Sequence, residues 1–276
     1  MSRSSSPASL RLPAAIVGAV ALLAAACSGS PANPTSPLSL SSNASLSGGG
    51  AQPSSGGKVD VCHRSDSGFN LINVSGNALQ AHLGHGDGLP LGFVPGSTNQ
   101  MLSASCQVLQ PQTLTLVSGS SGGIGSLDPA ISYTRASGGT GTAVVLKTHP
   151  AYQSLPGARW VNWAMITTWF DSNFGFGKPH IGDDIAYSIG FTLPAGAMNA
   201  SLTGTFYADN RGDGFLNGAP IGGHAATPFE GGFITPASVG AASGFVPGAN
   251  TLSFKVHDAG GVAGVAFSVT ITYFAP

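Results

Sequence analysis

The chain has 276 residues, of which 8% are charged and 41 are glycine, and its net charge is −1. Lysine and arginine together number only 10 and form no basic run, which argues against nucleic acid as a partner. Low charge and many glycines are typical of short strands joined by tight turns rather than of helices.

The N-terminus has the residue order of a secretory signal. Arg3 and Arg11 lie in a stretch without acidic residues, and an apolar run over residues 12–26 ends at Cys27. That run is too short to span a bilayer as a permanent helix. We therefore predict a signal peptide over residues 1–27 and export from the cytoplasm.

The small residues before the cysteine resemble the lipobox of bacterial lipoproteins. Ala24, Ala25 and Ala26 directly precede Cys27, although Ala24 stands where the lipobox favours leucine. The resemblance implies a lipid on Cys27 that anchors the protein in a membrane of the bacterial cell envelope. The same residues satisfy the rule for ordinary signal cleavage, so a soluble secreted protein is the alternative.

Residues 28–57 are predicted to be a disordered linker. They include no charged and no aromatic residue and are rich in Ser, Gly, Pro and Asn, so they cannot bury enough apolar surface to fold. If Cys27 carries a lipid, Cys62 and Cys106 are the two cysteines that remain. An even pair in an oxidising compartment predicts a disulfide.

Residues 58–107 are interpreted as a small α+β module rich in cysteine and histidine. Residues 59–64 alternate with the period of a half-buried strand, and residues 69–74 form a second strand. A short helix follows, and it places His82 and His85, three residues apart, on one face. The motifs Cys-His and His-Leu-x-His-Gly-Asp resemble a short module of exported bacterial proteins in which a later cysteine, here Cys106, usually follows.

These residues suggest a metal site. His63, His82, His85 and Asp87 could converge on a divalent ion such as zinc, because imidazole is a favoured ligand. Neighbouring strand residues point to opposite faces, so Cys62 is expected to bridge Cys106 while His63 turns toward the histidine pair. In the alternative, the imidazoles only hydrogen-bond the backbone around a glycine-rich turn.

Residues 110–276 are predicted to form an antiparallel β-sandwich of jelly-roll type, so the fold class is all-β. Short alternating runs are separated by Gly, Pro, Asn and Asp. Residues 250–256 and 264–273 alternate most clearly. The other predicted strands cover residues 113–117, 143–148, 159–167, 185–191, 200–208 and 214–217.

Several motifs in this part resemble the galactose-binding-like β-sandwiches of surface proteins and carbohydrate-active enzymes. They are W-V-N-W at residues 160–163, A-D-N at 208–210, L-N-G at 216–218 and G-x-N-T-L at 248–252. The resemblance implies a sandwich that binds a sugar or a similar polar ligand. Taken alone, L-N-G predicts only a hairpin with a type I′ turn.

Five residues are the candidates for ligand binding. Trp163 and Tyr207 would be aromatic platforms for a sugar ring, and Asp209, Asn210 and Asp213 would hydrogen-bond its hydroxyls. Because three oxygen ligands cluster there, the 209–213 segment could instead hold calcium. The alternative for all of them is a solvated, Asp- and Asn-rich turn.

Enzyme signatures are weak. A G-x-S-x-G motif occurs at residues 119–123, but the helix that a nucleophile elbow requires is not indicated after it. Glu230 is the only glutamate, so a pair of catalytic carboxylates would have to be aspartates. The sequence therefore predicts a non-catalytic envelope lipoprotein that binds carbohydrate; the alternatives are a structural or adhesive surface protein and a metal-binding module.

Overall fold

The computed structural model describes residues 57–146, 152–163, 183–225, 231–259 and 264–276. All of them belong to one compact unit of the chain, Gln52–Pro276. The predicted signal peptide, Cys27 and nearly all of the predicted linker lie outside the described residues. Among the described residues, no helix is long and apolar enough to cross a membrane.

Residues 57–109 form a first segment that contains two strand pairs and one short helix. A 3-10 turn over Gly76–Ala78 leads into the helix, and the side-chain hydroxyl of Ser75 accepts from the N–H of Asn77 at its start. Strand β1 pairs with β2, and β3 with β4, each antiparallel. The elements are β1 (Lys58–Ser65), β2 (Gly68–Ser75), α1 (Leu79–Gly84), β3 (Met101–Leu102) and β4 (Val108–Leu109).

The rest of the described chain is built of antiparallel strands, which confirms the predicted all-β class. Eleven strands join one sheet in the order β12-β11-β14-β9-β6-β7-β8-β15-β10-β13, with β5 also paired to β15. They are β5 (Pro111–Val117), β6 (Leu127–Arg135), β7 (Thr140–Val145), β8 (Val161–Asn162), β9 (Asp183–Leu193), β10 (Met198–Asp209), β11 (Arg211–Leu216), β12 (Ala219–Gly223), β13 (Ala237–Ala241), β14 (Gly248–Asp258) and β15 (Gly264–Phe274).

The sheet folds over on itself into a nearly closed sandwich. Strands β14 and β15 are far apart in the sheet order, yet the ring of Phe254 stacks on that of Phe267 with their centroids 4.7 Å apart. At the two ends of the sheet, β12 lies against β13. A Cβ on Gly222 would come within 2.3 Å of the Ser238 carbonyl oxygen, so this approach requires glycine.

The apolar alternation explains how the two layers bury a common core. Leu252, Phe254 and Val256 of β14 are fully buried, as are Val265 and Ile271 of β15. These residues face one another across the sandwich because side chains two positions apart share a face. The Asn-Gly hairpin was also predicted correctly, since Asn217 and Gly218 both have positive φ (49° and 83°) between β11 and β12.

The first segment packs on the sandwich through a small apolar contact. Met101 and Leu109 cluster with Met198 and Phe274, and the Asn199 side-chain amide donates to the Met101 sulfur at 3.0 Å. The predicted boundary between residues 58–107 and residues 110–276 falls at this contact. The division into separate domains stays a prediction.

Candidate metal centre

The disulfide between Cys62 and Cys106 fixes the module around a very small core. The two sulfurs are bonded across a sequence separation of 44 residues. Both cysteines are buried with Leu102, and Phe69 and Val94 pack against them. This pairing confirms the sequence prediction, and it uses the cysteine thiols, so Cys62 cannot also be a metal ligand.

His63 and His82 reach the same place from two different elements. His63 follows Cys62 in β1, and because strand residues alternate it turns away from the disulfide, with its side chain 47% exposed. His82 lies in the last turn of α1, and its side chain is 26% exposed. The two imidazole rings meet edge to face, with centroids 5.9 Å apart.

A tight turn after α1 brings Asp87 between these rings. Gly86 has a φ of 92°, a value that glycine adopts readily, and the N–H of Asp87 donates to the His82 carbonyl at 3.2 Å. The next residue, Gly88, exchanges two backbone hydrogen bonds with Cys62, of 2.9 and 3.0 Å. The turn is therefore tied directly to β1, which fixes the position of the Asp87 carboxylate.

The carboxylate of Asp87 is the centre of the cluster. Its Oδ2 lies 2.7 Å from His82 Nδ1 and 3.0 Å from His63 Nδ1, and its Oδ1 accepts from the Arg64 N–H at 2.8 Å. Its side chain is only 1% exposed. Burial opposes its ionisation, but the bonds from the Arg64 N–H, His63 and His82 outweigh burial and hold the pKa of Asp87 well below its ordinary value.

This arrangement can hold a metal ion. His63, His82 and Asp87 each offer a ligand atom, and these atoms lie within 4.8 Å of one another. His85 was predicted with them, but it is exposed and stands beside the group, with its ring centroid 6.3 Å from that of His82. The alternative, in which the imidazoles hydrogen-bond only the backbone around the turn, does not fit this cluster. Both rings bond to the Asp87 carboxylate instead.

The predicted ligand loop at residues 209–213 is two strands joined by one residue. Asp209 ends β10 and is buried, and it accepts a hydrogen bond from the Tyr152 hydroxyl. The Asn210 side-chain oxygen accepts from the Ala259 N–H at 2.8 Å, while Asp213 lies exposed within β11. Asp209 therefore does not lie in a solvated turn, because it is buried at the end of β10. Binding of a ligand or of calcium at residues 209–213 stays a prediction.

Other side chains of the protein also pack against the two aromatic candidates, Tyr207 and Trp163. Tyr207 is buried, and its ring centroid lies 6.5 Å from that of the fully buried Trp160. The Arg135 guanidinium sits 3.9 Å from the centre of the Trp163 ring and bonds to Asp183 through Nε at 3.0 Å. One face of Trp163 is thus covered by a cation.

A groove between the module and the sandwich was not predicted from the sequence. This groove has a volume of about 580 Å³, and no charged residue is among the described residues that line it. Phe93 is 47% exposed at its edge, beside polar groups from both parts of the chain. Its lining includes Phe93, Thr98, Asn99, Asn199, Thr272 and Phe274.

Comparisons with known proteins show only distant likenesses. No protein-family model and no curated protein matches the sequence. A β-glucuronidase from Ruminococcus gnavus is similar with 20% identity over 33% of this chain and 20% of that chain, at a TM-score of 0.25. A β-glucuronidase from an uncultured Clostridium species has 13% identity over 60% of this chain and 29% of its own, at a TM-score of 0.29.

A third similar structure is an exo-β-1,3-galactanase from Phanerochaete chrysosporium, solved with β-1,3-galactotriose. Its identity is 13% over 76% of this chain and 42% of its own, at a TM-score of 0.29. The chain therefore spans between 20% and 42% of the length of these three proteins.

The three neighbours bear on the prediction that the chain is not an enzyme. All three are named as enzymes, which contradicts that prediction, and we withdraw it. With TM-scores of 0.25 to 0.29, they assign no reaction to this chain. A nucleophile elbow requires a helix directly after its serine. After Ser121 of the G-x-S-x-G motif, the described chain instead continues through turns into strand β6.

Proposed function

We propose that the module binds a divalent transition-metal ion, zinc being the first candidate, through His63 and His82. One observation carries this proposal: both Nδ1 atoms lie within 3.0 Å of a single oxygen of a buried carboxylate. Imidazoles held by an ionised carboxylate are more basic ligands, and the negative charge offsets that of the cation. Cys62, which carries the disulfide, also exchanges two backbone hydrogen bonds with Gly88, and these bonds tie the turn after α1 to β1.

Replacing both histidines tests this function. The His63→Ala/His82→Ala variant should bind zinc more than about 100-fold more weakly, because even groups that only support a ligand contribute 10- to 100-fold. Isothermal titration of the mature chain with zinc chloride measures the change. The matched control is His257→Ala, which removes another histidine whose Nδ1 lies 2.9 Å from a carboxylate, that of Asp184.

The control should bind zinc like the unaltered chain. An affinity that survives the double substitution, or that falls equally in His257→Ala, would show that zinc binds elsewhere. No heat of binding in the unaltered chain would mean that the imidazole cluster has only a structural role.

We also propose that this metal site is displayed outside the cytoplasm, on a protein anchored by a lipid at Cys27. The lipobox-like residues and the disulfide support this proposal, because disulfides persist in oxidising compartments. The intact mass of the protein from cell envelopes should correspond to a chain that begins at a lipid-modified Cys27. An unmodified mass that starts after residue 26 would instead indicate a secreted soluble protein.

Carbohydrate binding is the second candidate function, and the groove beside Phe93 favours it. An exposed aromatic ring next to amide and hydroxyl groups, without charge, suits a neutral sugar. Phe93→Ala should weaken binding of a glycan found on an array by about 5-fold, which corresponds to one aromatic contact of about 1 kcal/mol.

Titration calorimetry with that glycan compares Phe93→Ala with Ile124→Ala, which removes an exposed apolar side chain outside the groove lining. Equal affinities in the two variants would contradict a sugar site in the groove, as would an array without any bound glycan.

A further inference from the structure

We infer that the groove beside Phe93 is one part of a longer groove that binds a neutral polysaccharide chain, rather than a single terminal sugar. This inference rests on the proposed carbohydrate-binding function and specifies the class of ligand. A second hollow of about 340 Å³ adjoins the groove. The two share Asn199, Ala200 and Ala242 in their linings, so they form one continuous surface.

The groove crosses neighbouring strands instead of following one of them. Its lining includes Pro111 of β5, Thr272 of β15, Ser201 of β10 and Ala242, which directly follows β13. These strands are neighbours in the order β5-β15-β10-β13. Since neighbouring strands lie about 4.8 Å apart, this part of the groove is about 14 Å long. The second hollow extends it along residues 243–247. A single sugar ring covers only a fraction of that length, whereas several linked sugars can follow it.

A β-bulge shapes the floor where the two hollows meet. The pairing of β10 with β15 shifts register between Met198 and Ser201, so two residues of β10 lie opposite one residue of β15. One of the two, Asn199, has a φ of 47°, a conformation that asparagine adopts more readily than most residues. Its side-chain amide donates to the Met101 sulfur at 3.0 Å, and the Oδ1 atom of the same amide is an acceptor suited to a sugar hydroxyl. Bulges often redirect a side chain in this way next to a functional site.

The loop beyond the bulge is held in place by two asparagines, one from the L-N-G motif and one from the G-x-N-T-L motif. The side chain of Asn250 accepts from the Val246 N–H at 2.9 Å and donates to the Val246 carbonyl at 2.8 Å. Asn217 donates to the Gly244 carbonyl at 2.9 Å and to Asn250 Oδ1 at 2.8 Å. Asn250 is buried, so water does not compete for these bonds. A loop ordered before binding loses less entropy when it binds a ligand.

Each end of the extended groove has an apolar side chain exposed to solvent. Phe93 is 47% exposed, and its ring meets that of Phe274 edge to face, with centroids 6.2 Å apart. At the other end Val246 is 45% exposed, and the ring of the neighbouring Phe245 packs against that of Phe191. Apolar side chains of this kind cover the C–H face of a sugar ring. Two separate apolar surfaces therefore fit two sugars of one chain.

The composition of the lining determines the charge of the ligand. No charged residue is among the described residues that line either hollow. An acidic or sulfated chain would lose part of its hydration here without gaining an opposite charge. The side chains that can hydrogen-bond a sugar carry amides and hydroxyls, and they are Thr98, Asn99, Asn199, Ser201, Ser243 and Thr272.

A comparison of chain lengths tests the inference. The mature chain is titrated by calorimetry with the disaccharide and the hexasaccharide of cellulose, laminarin, xylan and mannan, and with oligogalacturonate as a charged chain. We expect a neutral hexasaccharide to bind at least about 5-fold more tightly than its disaccharide, because it also contacts the second apolar surface.

The possible results separate the length of the site from carbohydrate binding itself. Equal affinities for the two lengths would overturn the inference but leave a single-sugar site at Phe93. Tighter binding of oligogalacturonate would contradict a neutral ligand. No heat of binding with any of these sugars would contradict the carbohydrate-binding function.

Matched substitutions distinguish the two ends of the groove. Phe93→Ala should weaken binding of both lengths, whereas Val246→Ala should weaken only the hexasaccharide, by about 3-fold, because part of the apolar contact is lost. The control is Val108→Ala, the same change at a valine that is 42% exposed and outside both linings. A hexasaccharide affinity that is the same in Val246→Ala and Val108→Ala would show that the bound chain does not reach the second hollow.

Discussion

Replacing Cys62 and Cys106 by alanine is expected to destabilise the module by about 4 kcal/mol and to abolish zinc binding. The bond closes a loop across 44 residues, and the entropy of such a loop in the unfolded chain corresponds to about 4 kcal/mol. The buried cluster that surrounds it has only Leu102 beyond the cysteines themselves, with Phe69 and Val94 at its edge. A core of this size cannot offset so large a loss.

Zinc titration and tryptophan fluorescence separate the effect on the module from any effect on the sandwich. The three tryptophans, at positions 160, 163 and 169, all lie outside residues 58–107. The variant without both cysteines should lose zinc binding. Its tryptophan emission, and the urea midpoint for unfolding of the sandwich followed by that emission, should stay unchanged. Zinc affinity within about 3-fold of the unaltered chain would show that hydrogen bonding around Asp87 suffices to hold the histidines.

The elements that the sequence predicted well are those whose pattern is local. Strands β14 and β15 were recognised because every second side chain is apolar, over residues 252–256 in β14 and 265–273 in β15, and the core requires that period. The Cys62–Cys106 bond was predicted because a lipid on Cys27 leaves an even pair of cysteines, and because strand alternation turns Cys62 away from His63. The same alternation placed His63 toward His82, and their ring centroids are 5.9 Å apart.

The features that the sequence did not predict depend on contacts between distant residues. Asp209 was expected in a solvated loop, but Tyr152, 57 residues away, donates a hydrogen bond to it in a buried setting. Burial and this carboxylate raise the pKa of Tyr152 well above its usual value, so the phenol stays protonated and donates. Strand β6 was missed because Pro129 and an irregular register interrupt its alternation.

The role of Asp87 illustrates the same limit within the candidate site. The His-Gly-Asp motif made Asp87 a candidate ligand, since carboxylates and imidazoles both bind zinc. Sequence spacing could not show that the carboxylate would be buried and would accept from both imidazoles and from the Arg64 N–H. These three bonds come from β1 and α1, and only the folded turn at Gly86 brings them together.

Replacing Phe254 by alanine is expected to lower the free energy of unfolding of the sandwich by an amount similar to the effect of the disulfide on the module. Phe254 is fully buried, and its ring centroid lies 4.8 Å from that of Phe206 and 4.7 Å from that of Phe267. Removing a buried phenylalanine leaves a cavity and costs about 3–5 kcal/mol. Because these rings join the two layers of the sandwich, the free energy of unfolding should fall by that amount in urea titrations followed by tryptophan emission.

Phe93→Ala is the matched control for this prediction, because it makes the same chemical change at a side chain that is 47% exposed. Its effect on the free energy of unfolding should stay below about 1 kcal/mol.

Zinc titration of the Phe254→Ala variant tests the predicted boundary between residues 58–107 and residues 110–276. The titration is made at a urea concentration that unfolds the sandwich of this variant. Zinc affinity equal to that of the unaltered chain would mean that residues 58–107 fold independently of residues 110–276. Loss of zinc binding together with the tryptophan signal would contradict the boundary, because the module would then depend on the sandwich through the contact of Met101 with Phe274.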